Sequence, residues 1–386
     1  MNKKKLVAII AVCITVAIVA LVISLSARRP SGESVVSFPD SNLETALREA
    51  LNKPSGLIHI SELAGLTSLS AENRAIEDVS VLQYCTDLTD LSLRYNKMAD
   101  IAALASLTNL IYLRIDSNRI SDISPLANLT NLTELSLSSN QISDISPLAN
   151  LTNLTNLSLY SNQISDVSPL ANLTNLTNLG LYSNQISGVL PLANLTNLTE
   201  LSLSSNKISD ISPLASLTKL TELSLSSNQI SDISPLANLT NLTELSCSSN
   251  QVSDISPLAN LTNLAELSLG LNQIGDISPL ANLTDLAIAY LHSNVISDIF
   301  ALGNLTNLTD LGLYSNLISD ISSLANLINL TQLQLGSNQI NDITPLVENA
   351  GLSEGDYVYL NENPLSSDSR DIYVPQLEAR GVIVEY

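Results

Sequence analysis

Leucine and isoleucine recur at fixed spacings along most of this 386-residue chain, because a unit of 22 residues repeats almost without change. Residues 121–142 read SDISPLANLTNLTELSLSSNQI, and residues 231–252 read SDISPLANLTNLTELSCSSNQV. Within the first unit, Leu135 and Leu137 alternate with polar residues, which is the pattern of a short strand with one buried face. Because each unit contacts only its neighbours, the stacked strands are predicted to form a parallel sheet on the inside of a curve.

The second half of each unit predicts the return to the next strand on the outer side of the curve. Residues 143–148 read SDISPL. Ser146 has the side chain of a helix N-cap, and Pro147 lies at a first helical position, where a missing N–H costs nothing. We therefore expect an α/β solenoid with its sheet on the concave face and short helical or 3-10 turns on the convex face.

Asparagine ends every predicted strand of the regular repeats. In the turn, its side-chain amide can bond backbone groups of adjacent coils that would otherwise be buried without partners. We therefore interpret the asparagine column as a structural ladder. All twelve positions at the 22-residue spacing hold this residue: Asn96, Asn118, Asn140, Asn162, Asn184, Asn206, Asn228, Asn250, Asn272, Asn294, Asn316 and Asn338.

Aspartate follows the asparagine four residues later in eleven of the twelve units, as at Asp144, and Gly188 is the exception. Such a column could bind calcium, or each side chain could bond the backbone of its own turn. The second interpretation accounts for the column without an ion, and we predict no metal site.

The chain begins with a segment unlike the repeats. Residues 1–29 hold three lysines, an uncharged run over 6–26 and two arginines. A charged start and an apolar run describe an export signal, and this run is long enough to span a bilayer. We favour an uncleaved signal anchor that holds the protein at the cell membrane with its repeats outside the cytoplasm. The alternative is secretion after cleavage near Ser26.

The rest of the chain divides into a linker (30–37), a helical cap (38–56), the repeats (57–345) and a terminal repeat with a C-terminal cap (346–386). The cap helix can begin at Asp40 or Ser41, and its apolar face includes Leu43 and Ala50. That face should cover the open end of the first coil, because terminal repeats would otherwise expose their core.

Both end units are irregular. Arg74 occupies the asparagine position of a degenerate first unit. Residues 358–363 predict a last strand that is reached by a longer, 25-residue step, and residues 382–384 favour a further strand that closes the structure.

Charge and composition narrow the range of functions. The net charge is −21, with 37 acidic and 16 basic residues, so nucleic acid, whose binding depends on lysine and arginine, is a poor partner. Cys85 and Cys247 occupy leucine positions, which predicts buried thiols, and no histidine accompanies each repeated serine. Near-identical units also create a repeating surface rather than a point where catalytic groups converge. We predict no enzyme activity and no cofactor.

The inward-facing strand positions break the repeat at a few places, and there we predict a binding surface. Tyrosine offers a large rigid face with a polar tip and is enriched at binding hot spots, while stacked glutamates favour a basic partner. We expect a protein or peptide ligand; glycan binding by a cell-surface scaffold is the alternative. The predicted residues are Tyr160, Tyr182, Asn156, Asn178, Glu200, Glu222, Glu244, Glu266, Tyr290, His292 and Tyr314.

The pattern N-x-I-x-D-I-x-P-L-x-x-L-x-x-L resembles the 22-residue leucine-rich repeats of the internalin group of bacterial surface proteins. It is also similar to the units of the nuclear regulatory subunit of protein phosphatase 1, with which an export segment is at odds. The resemblance covers residues 38–364 and implies a leucine-rich repeat solenoid, a curved right-handed superhelix. Internalins carry an immunoglobulin-like domain and often a wall-anchoring tail after the repeats. This sequence shows neither, so host-cell adhesion is not expected to carry over.

Overall fold

The computed structural model describes residues 34–386. The signal anchor predicted for residues 1–29 and the first part of the linker lie outside the described residues. Within 34–386, no helix is long and apolar enough to cross a membrane. The described elements pack on one continuous apolar core, which extends from Val36 to Val382.

A single parallel sheet runs the length of the solenoid, and its strands follow one another in sequence order. Neighbouring strands of the regular repeats pair at a distance of 22 residues, so that Leu135 lies opposite Leu157. The predicted sheet and solenoid are confirmed. The fifteen strands are β1 Ser68–Ser70, β2 Asp90–Ser92, β3 Tyr112–Arg114, β4 Glu134–Ser136, β5 Asn156–Ser158, β6 Asn178–Gly180, β7 Glu200–Ser202, β8 Glu222–Ser224, β9 Glu244–Ser246, β10 Glu266–Ser268, β11 Ile288–Tyr290, β12 Asp310–Gly312, β13 Gln332–Gln334, β14 Tyr357–Tyr359 and β15 Ile383–Glu385.

Short 3-10 helices line the opposite side of the solenoid, as predicted. Their prolines lie in the first turn, and one leucine of each, such as Leu148, enters the core. Burial of one such side chain stabilises the fold by about 1.5–3 kcal/mol, so the stacked coils dominate the stability. The 3-10 helices are Ser80–Tyr84, Ala102–Ser106, Ser124–Leu126, Ser146–Asn150, Ser168–Leu170, Leu190–Asn194, Ser212–Ser216, Ser234–Asn238, Ser256–Asn260, Ser278–Asn282, Phe300–Asn304 and Ser322–Asn326.

Ile145, and not Ser146, is the N-cap of the 3-10 helix Ser146–Asn150, and the aspartate before it bonds the first N–H of the helix. The Ser146 N–H donates to Asp144 Oδ1 at 2.8 Å, and Ser146 is itself the first residue of the 3-10 helix. The prediction that Ser146 is the N-cap is therefore wrong. Backbone and hydroxyl donation from Ser146 hold the pKa of Asp144 below its ordinary value. Within the described residues, no three His, Cys, Asp or Glu side chains are grouped as metal ligands.

The asparagine ladder has the predicted role. Asn140 Nδ2 donates to the carbonyls of Ile115 (3.1 Å), Leu137 (3.0 Å) and Ser138 (3.2 Å), and its Oδ1 accepts from the Ile120 N–H (3.0 Å). Two of these partners belong to the preceding coil and two to the same turn. One amide thus pairs four backbone groups and links each coil to the one before it.

The N-terminal cap contains α1 (Ser41–Ala50), and α2 (Ile60–Ala64) follows it at the start of the first coil. Leu43 and Leu47 of α1 are fully buried in the core, whereas Ala50, which we predicted on the same face, is exposed. Arg74, which replaces the ladder asparagine in the first coil, pairs instead with Glu49 of α1 at 2.6 Å. The cap is therefore joined to the solenoid by both apolar and ionic contacts.

Asp40 is the N-cap of α1, and its carboxylate also joins the cap to the first coil through hydrogen bonds. Its Oδ1 accepts from the N–H groups of Asn42 (2.8 Å) and Leu43 (3.1 Å). Its Oδ2 accepts from the N–H groups of Glu77 (2.7 Å) and Asp78 (3.2 Å) of the first coil. One carboxylate thus satisfies four backbone donors on two elements.

The C-terminal end closes with α3 (Thr344–Glu348), a π-helical turn (Ser369–Tyr373), α4 (Val374–Glu378) and the edge strand β15. Both strands predicted near this end are present as β14 and β15, and they pair in parallel. The guanidinium of Arg380 donates to the carbonyls of Val347 (2.7 Å), Leu352 (2.9 Å) and Asn349. This side chain fixes the closing segment to the loop after α3.

Cys85 and Cys247 are fully buried in the core, as predicted. Burial raises the pKa of each thiol to about 12, so both remain protonated at neutral pH. Their chemistry is that of small apolar side chains.

We predict that Asn140→Ala lowers the free energy of unfolding by about 1–3 kcal/mol, because it leaves the Ile120 N–H without a partner and removes one of the two donors to each of three carbonyls. Urea denaturation measures the change. Asn153→Ala in the following unit is the control: this exposed side chain donates a single bond, to the Thr130 carbonyl at 2.8 Å. Equal losses in the two variants would contradict the role of the ladder.

We predict a pH-dependent contribution from Asp40. Burial raises its pKa, but donation from Glu77, Leu43, Asp78 and Asn42 outweighs that effect, and the net pKa is lowered. The stabilisation is therefore complete above the unfolded pKa of about 3.9 and is lost as the pH falls through the folded pKa. Asp40→Ala should lower the thermal midpoint at pH 7, and the difference from wild type should shrink at pH 3. A difference that is equal at both pH values would sink this account.

Candidate binding surface

The concave face consists of three columns of side chains, which we define from one coil. The first column holds the residues aligned with Glu134, the second those aligned with Ser136, and the third those aligned with Ser138. Strand register places each column member beside the equivalent residue of the next coil, about 4.8 Å away. The sheet thus sets the side chains of each column in a fixed row.

At the N-terminal end of the face, carboxylates are neutralised by arginines of the same chain. Arg114 pairs with Glu134 (2.7 Å) and with Asp90 (3.5 Å), and Arg94 pairs with Asp116 (2.9 Å). Asp116 also accepts from the Ser138 N–H and the Ser136 hydroxyl. This network was not predicted from the sequence, although two arginines in columns rich in serine and acidic residues indicate it.

The predicted glutamate row is assembled on β7 to β10. Register pairs Glu200 with Glu222, Glu222 with Glu244, and Glu244 with Glu266. No lysine or arginine of residues 34–386 pairs with any of these four carboxylates. Burial against the strands and the charges of the other three glutamates raise the pKa of Glu222. The row therefore differs from the N-terminal end in having no internal counter-charge.

Tyr160 and Tyr182 lie in the third column on the N-terminal side of the glutamate row. Their side chains are 41% and 44% exposed, in positions where several other coils have serine. Asn178 of the first column donates to Glu200, which joins the tyrosine pair to the row. Asn156, the register partner of Asn178, is exposed.

Tyr290, His292 and Tyr314 lie at the other end of the row. His292 and Tyr314 stack with their ring centroids 4.4 Å apart and their planes at 4°. Burial lowers the pKa of His292, which favours the neutral imidazole. Burial, Asp310 and Glu266 raise the pKa of Tyr290. The three residues thus form an aromatic cluster at this end of the row, in which His292 and Tyr314 are in direct contact.

Two glycines make room for this cluster. A Cβ atom on Gly270 would clash with the imidazole of His292, and one on Gly312 would lie 2.9 Å from Tyr290 Cδ1. The contribution of Gly312 was not predicted from the sequence. The sequence feature that indicates it is the glycine in place of the second-column serine, in the coil after Tyr290.

The structure places the predicted residues on one face but not in one cluster. Tyr182 and His292 are third-column residues five coils apart, which corresponds to about 24 Å at the strand spacing. The glutamate row spans most of that distance. The candidate surface is therefore elongated, with an acidic middle and an aromatic group at each end.

Comparison with known proteins identifies the repeats. The family profile described as Leucine Rich repeats (2 copies) matches residues 108–150, 152–194, 196–238, 240–282 and 306–348. No curated protein sequence matches the chain.

Three solved structures illustrate the structural similarity. An internalin (inlF) of Listeria monocytogenes is 42% identical, with a TM-score of 0.80, over 86% of this chain and 96% of its own. Internalin C2 of the same species is 43% identical, with a TM-score of 0.53, over 55% of this chain and 94% of its own. A plant peptide hormone receptor in complex with RGF2 shares the fold at 24% identity and a TM-score of 0.60, over 74% of this chain and 57% of its own.

The repeat profile covers more than half of the chain, and the first internalin is aligned over nearly its whole length. Leucine-rich repeat proteins of this kind are typically protein-binding modules and are generally not enzymes. The 22-residue unit, the asparagine ladder and the parallel sheet agree with that assignment. The chain therefore belongs to the leucine-rich repeat family, as an internalin-like member.

Proposed function

We propose that this protein is an exported, membrane-anchored module that binds a basic protein or peptide through its concave face. The observation that carries the proposal is the row formed by Glu200, Glu222, Glu244 and Glu266. These carboxylates are stacked by the strand register and have no counter-charge among the described residues, whereas Glu134 in the same column is paired with Arg114.

A basic partner would relieve the repulsion within this row. Like charges on adjacent strands destabilise one another, and a complementary charge steers association over long distances. The partner's lysines or arginines would provide the positive charge for this row, as Arg114 of the same chain does for Glu134. The basic character of the partner follows from that contrast.

The aromatic groups at the two ends would provide contact area. Tyr160 and Tyr182 are partly exposed, and their burial beneath a partner costs little conformational entropy because tyrosine has few rotatable bonds. The rings of His292 and Tyr314 already stack on each other, so they too can offer contact area. An extended ligand that lies along the columns would contact both ends and cover the acidic middle.

The export part of the proposal rests on the sequence. Residues 6–26 would form the membrane anchor, with residues 30–37 as linker to the cap (38–56), the repeats (57–345) and the closing segment (346–386).

The concave face is tested by replacing both tyrosines with serine, the residue at the same position in other coils. A partner captured by the immobilised full chain should bind Tyr160→Ser/Tyr182→Ser more weakly by about 2 kcal/mol, or roughly 30-fold, with no loss of thermal stability. Tyr95→Ser is the matched control, because Tyr95 is 60% exposed but lies outside the three columns. Unchanged affinity in the double variant would place the contact elsewhere, first at Tyr290, His292 and Tyr314.

The same experiment tests the acidic row. Glu222→Lys with Glu244→Lys should slow association and reduce its dependence on salt, since both effects come from long-range attraction. If this protein is retained on a carbohydrate resin, and the charge-reversed variant is retained equally well, the glycan-binding scaffold would be supported instead.

Membrane anchoring is tested in intact cells. Added protease should cleave the repeats while the protein fractionates with membranes, and deletion of residues 6–26 should abolish both results. A protein that stays protected in intact cells and soluble after lysis would contradict export.

A further inference from the structure

A group of exposed apolar residues interrupts the polar edge of the solenoid in the loops after β10, β11 and β12. Leu271, Val295 and Leu317 are 52%, 51% and 46% exposed, and Phe300 is 82% exposed. We name these four residues the apolar edge. None of them belongs to the three concave columns, and none is accounted for by the function proposed above.

The repeats provide an internal reference for these positions. The position of Leu271, just before the ladder asparagine, is serine in all of the regular units from 117 to 337 apart from Leu271 itself. The position of Val295 and Leu317, just after the asparagine, is glutamine, lysine or arginine in the other units. Apolar residues have therefore replaced polar ones on three consecutive coils.

Leu271 gives no benefit to folding that would explain its presence. Its φ of +57° lies in the left-handed region, which disfavours a branched side chain, and about half of the side chain remains in water. A strained residue that gains no burial is expected where another molecule supplies the contact.

Val295 and Leu317 stand on stacked loops. The Val295 N–H donates to the Ile274 carbonyl (3.0 Å), and the Leu317 N–H donates to the Ile296 carbonyl (2.8 Å). Val295 Cγ2 lies 3.7 Å from the position that a Cβ of Gly275 would take, so valine leans over the coil that carries Leu271. The three side chains thus lie on adjacent coils at one edge.

Phe300 extends the apolar edge toward the convex face. It occupies the position of Ser278 at the start of a 3-10 helix, and its N–H is capped by Asp298 at 2.8 Å. Shallow grooves flank its ring on both sides, with Asp276 lining one and Asp320 lining the other. The most exposed apolar side chain of the region therefore stands among carboxylates.

The charge of the surroundings identifies the kind of occupant. Between Lys219 and Arg370 the sequence contains no lysine or arginine. A second copy of this chain or an anionic lipid surface would meet like charge there, whereas a cationic partner would be attracted. The same stretch contains sixteen carboxylates: Glu222, Asp232, Glu244, Asp254, Glu266, Asp276, Asp285, Asp298, Asp310, Asp320, Asp342, Glu348, Glu354, Asp356, Glu362 and Asp368.

We propose that the apolar edge is a docking surface for a basic amphipathic segment of another protein. Apolar side chains of the segment would pack on Leu271, Val295, Leu317 and Phe300, and its lysines and arginines would face Asp276, Asp298 and Asp320. This surface is separate from the concave columns, and its test does not depend on the concave partner.

The repeats supply substitutions that fit the fold. Leu271→Ser, Val295→Gln, Phe300→Ser and Leu317→Gln each restore the residue found at that position in other units, so the quadruple variant should match wild type in thermal stability. Leu190→Ser is the matched control. Leu190 is 73% exposed and occupies the position equivalent to Phe300 five coils away.

The probe is a synthetic helical peptide of about 18 residues with leucine and phenylalanine on one face and lysine and arginine on the other. A scrambled peptide of the same composition is the comparison. On the immobilised full chain, measured by surface plasmon resonance, the amphipathic peptide should bind at least about tenfold more tightly than the scrambled one. The quadruple variant should reduce its affinity to the scrambled level, while Leu190→Ser and Tyr160→Ser/Tyr182→Ser should not.

Other results would overturn the proposal. Equal affinity for the two peptides would reduce the interaction to general charge attraction, and undiminished binding to the quadruple variant would place it elsewhere. Loss of binding only in the tyrosine double variant would move the peptide to the concave face and leave the earlier proposal standing. Self-association of the full chain in light scattering, abolished by the quadruple variant, would make a second copy the occupant.

Discussion

Each regular coil of this solenoid depends on the hydrogen bonds of one asparagine amide. A unit has only three residues of strand, and the turn after it brings carbonyl groups of two coils toward the interior. Such groups would cost about 1–3 kcal/mol each if left without partners, which a single short unit cannot offset alone. Because the amide of Asn140 bonds both its own turn and the preceding coil, it closes the turn and fixes the spacing of the stack together. The straight columns of the concave face follow from that fixed spacing.

The periodic part of the structure was predictable because it depends on local bonds that repeat with the sequence. Leucine alternation gave the strand, and the 22-residue interval gave its register. The error at Ser146 has a local cause: a serine at the first helical position has no free N–H within reach, whereas an aspartate two residues earlier accepts one directly. The helix signal was thus real, but the oxygen that accepts the first N–H comes from Asp144 of the same segment and not from Ser146.

Contacts between long side chains of different coils were less predictable. The pairing of Arg114 with Glu134 and Asp90 depends on rotamers, and the sequence shows only that these residues occupy adjacent coils. The stacking of His292 on Tyr314 likewise depends on the space above Gly270. In both cases, a residue that departs from the consensus in one unit changes the contacts of the neighbouring unit. In a repeat protein, such pairs of exceptions carry the information that the consensus unit cannot contain.

The contacts of Asp40 and Arg380 at the two ends determine which repeats stack on which. Near-identical units can stack in a frame displaced by one unit, because every coil offers much the same surface to the next. Such a slip would loop out 22 residues without creating a poor contact in the middle of the stack. Asp40 and Arg380 distinguish the frames, since each binds backbone groups of an irregular end coil that has no equivalent elsewhere. The terminal segments thus stabilise the native stacking register over others that are nearly equivalent in the middle of the solenoid.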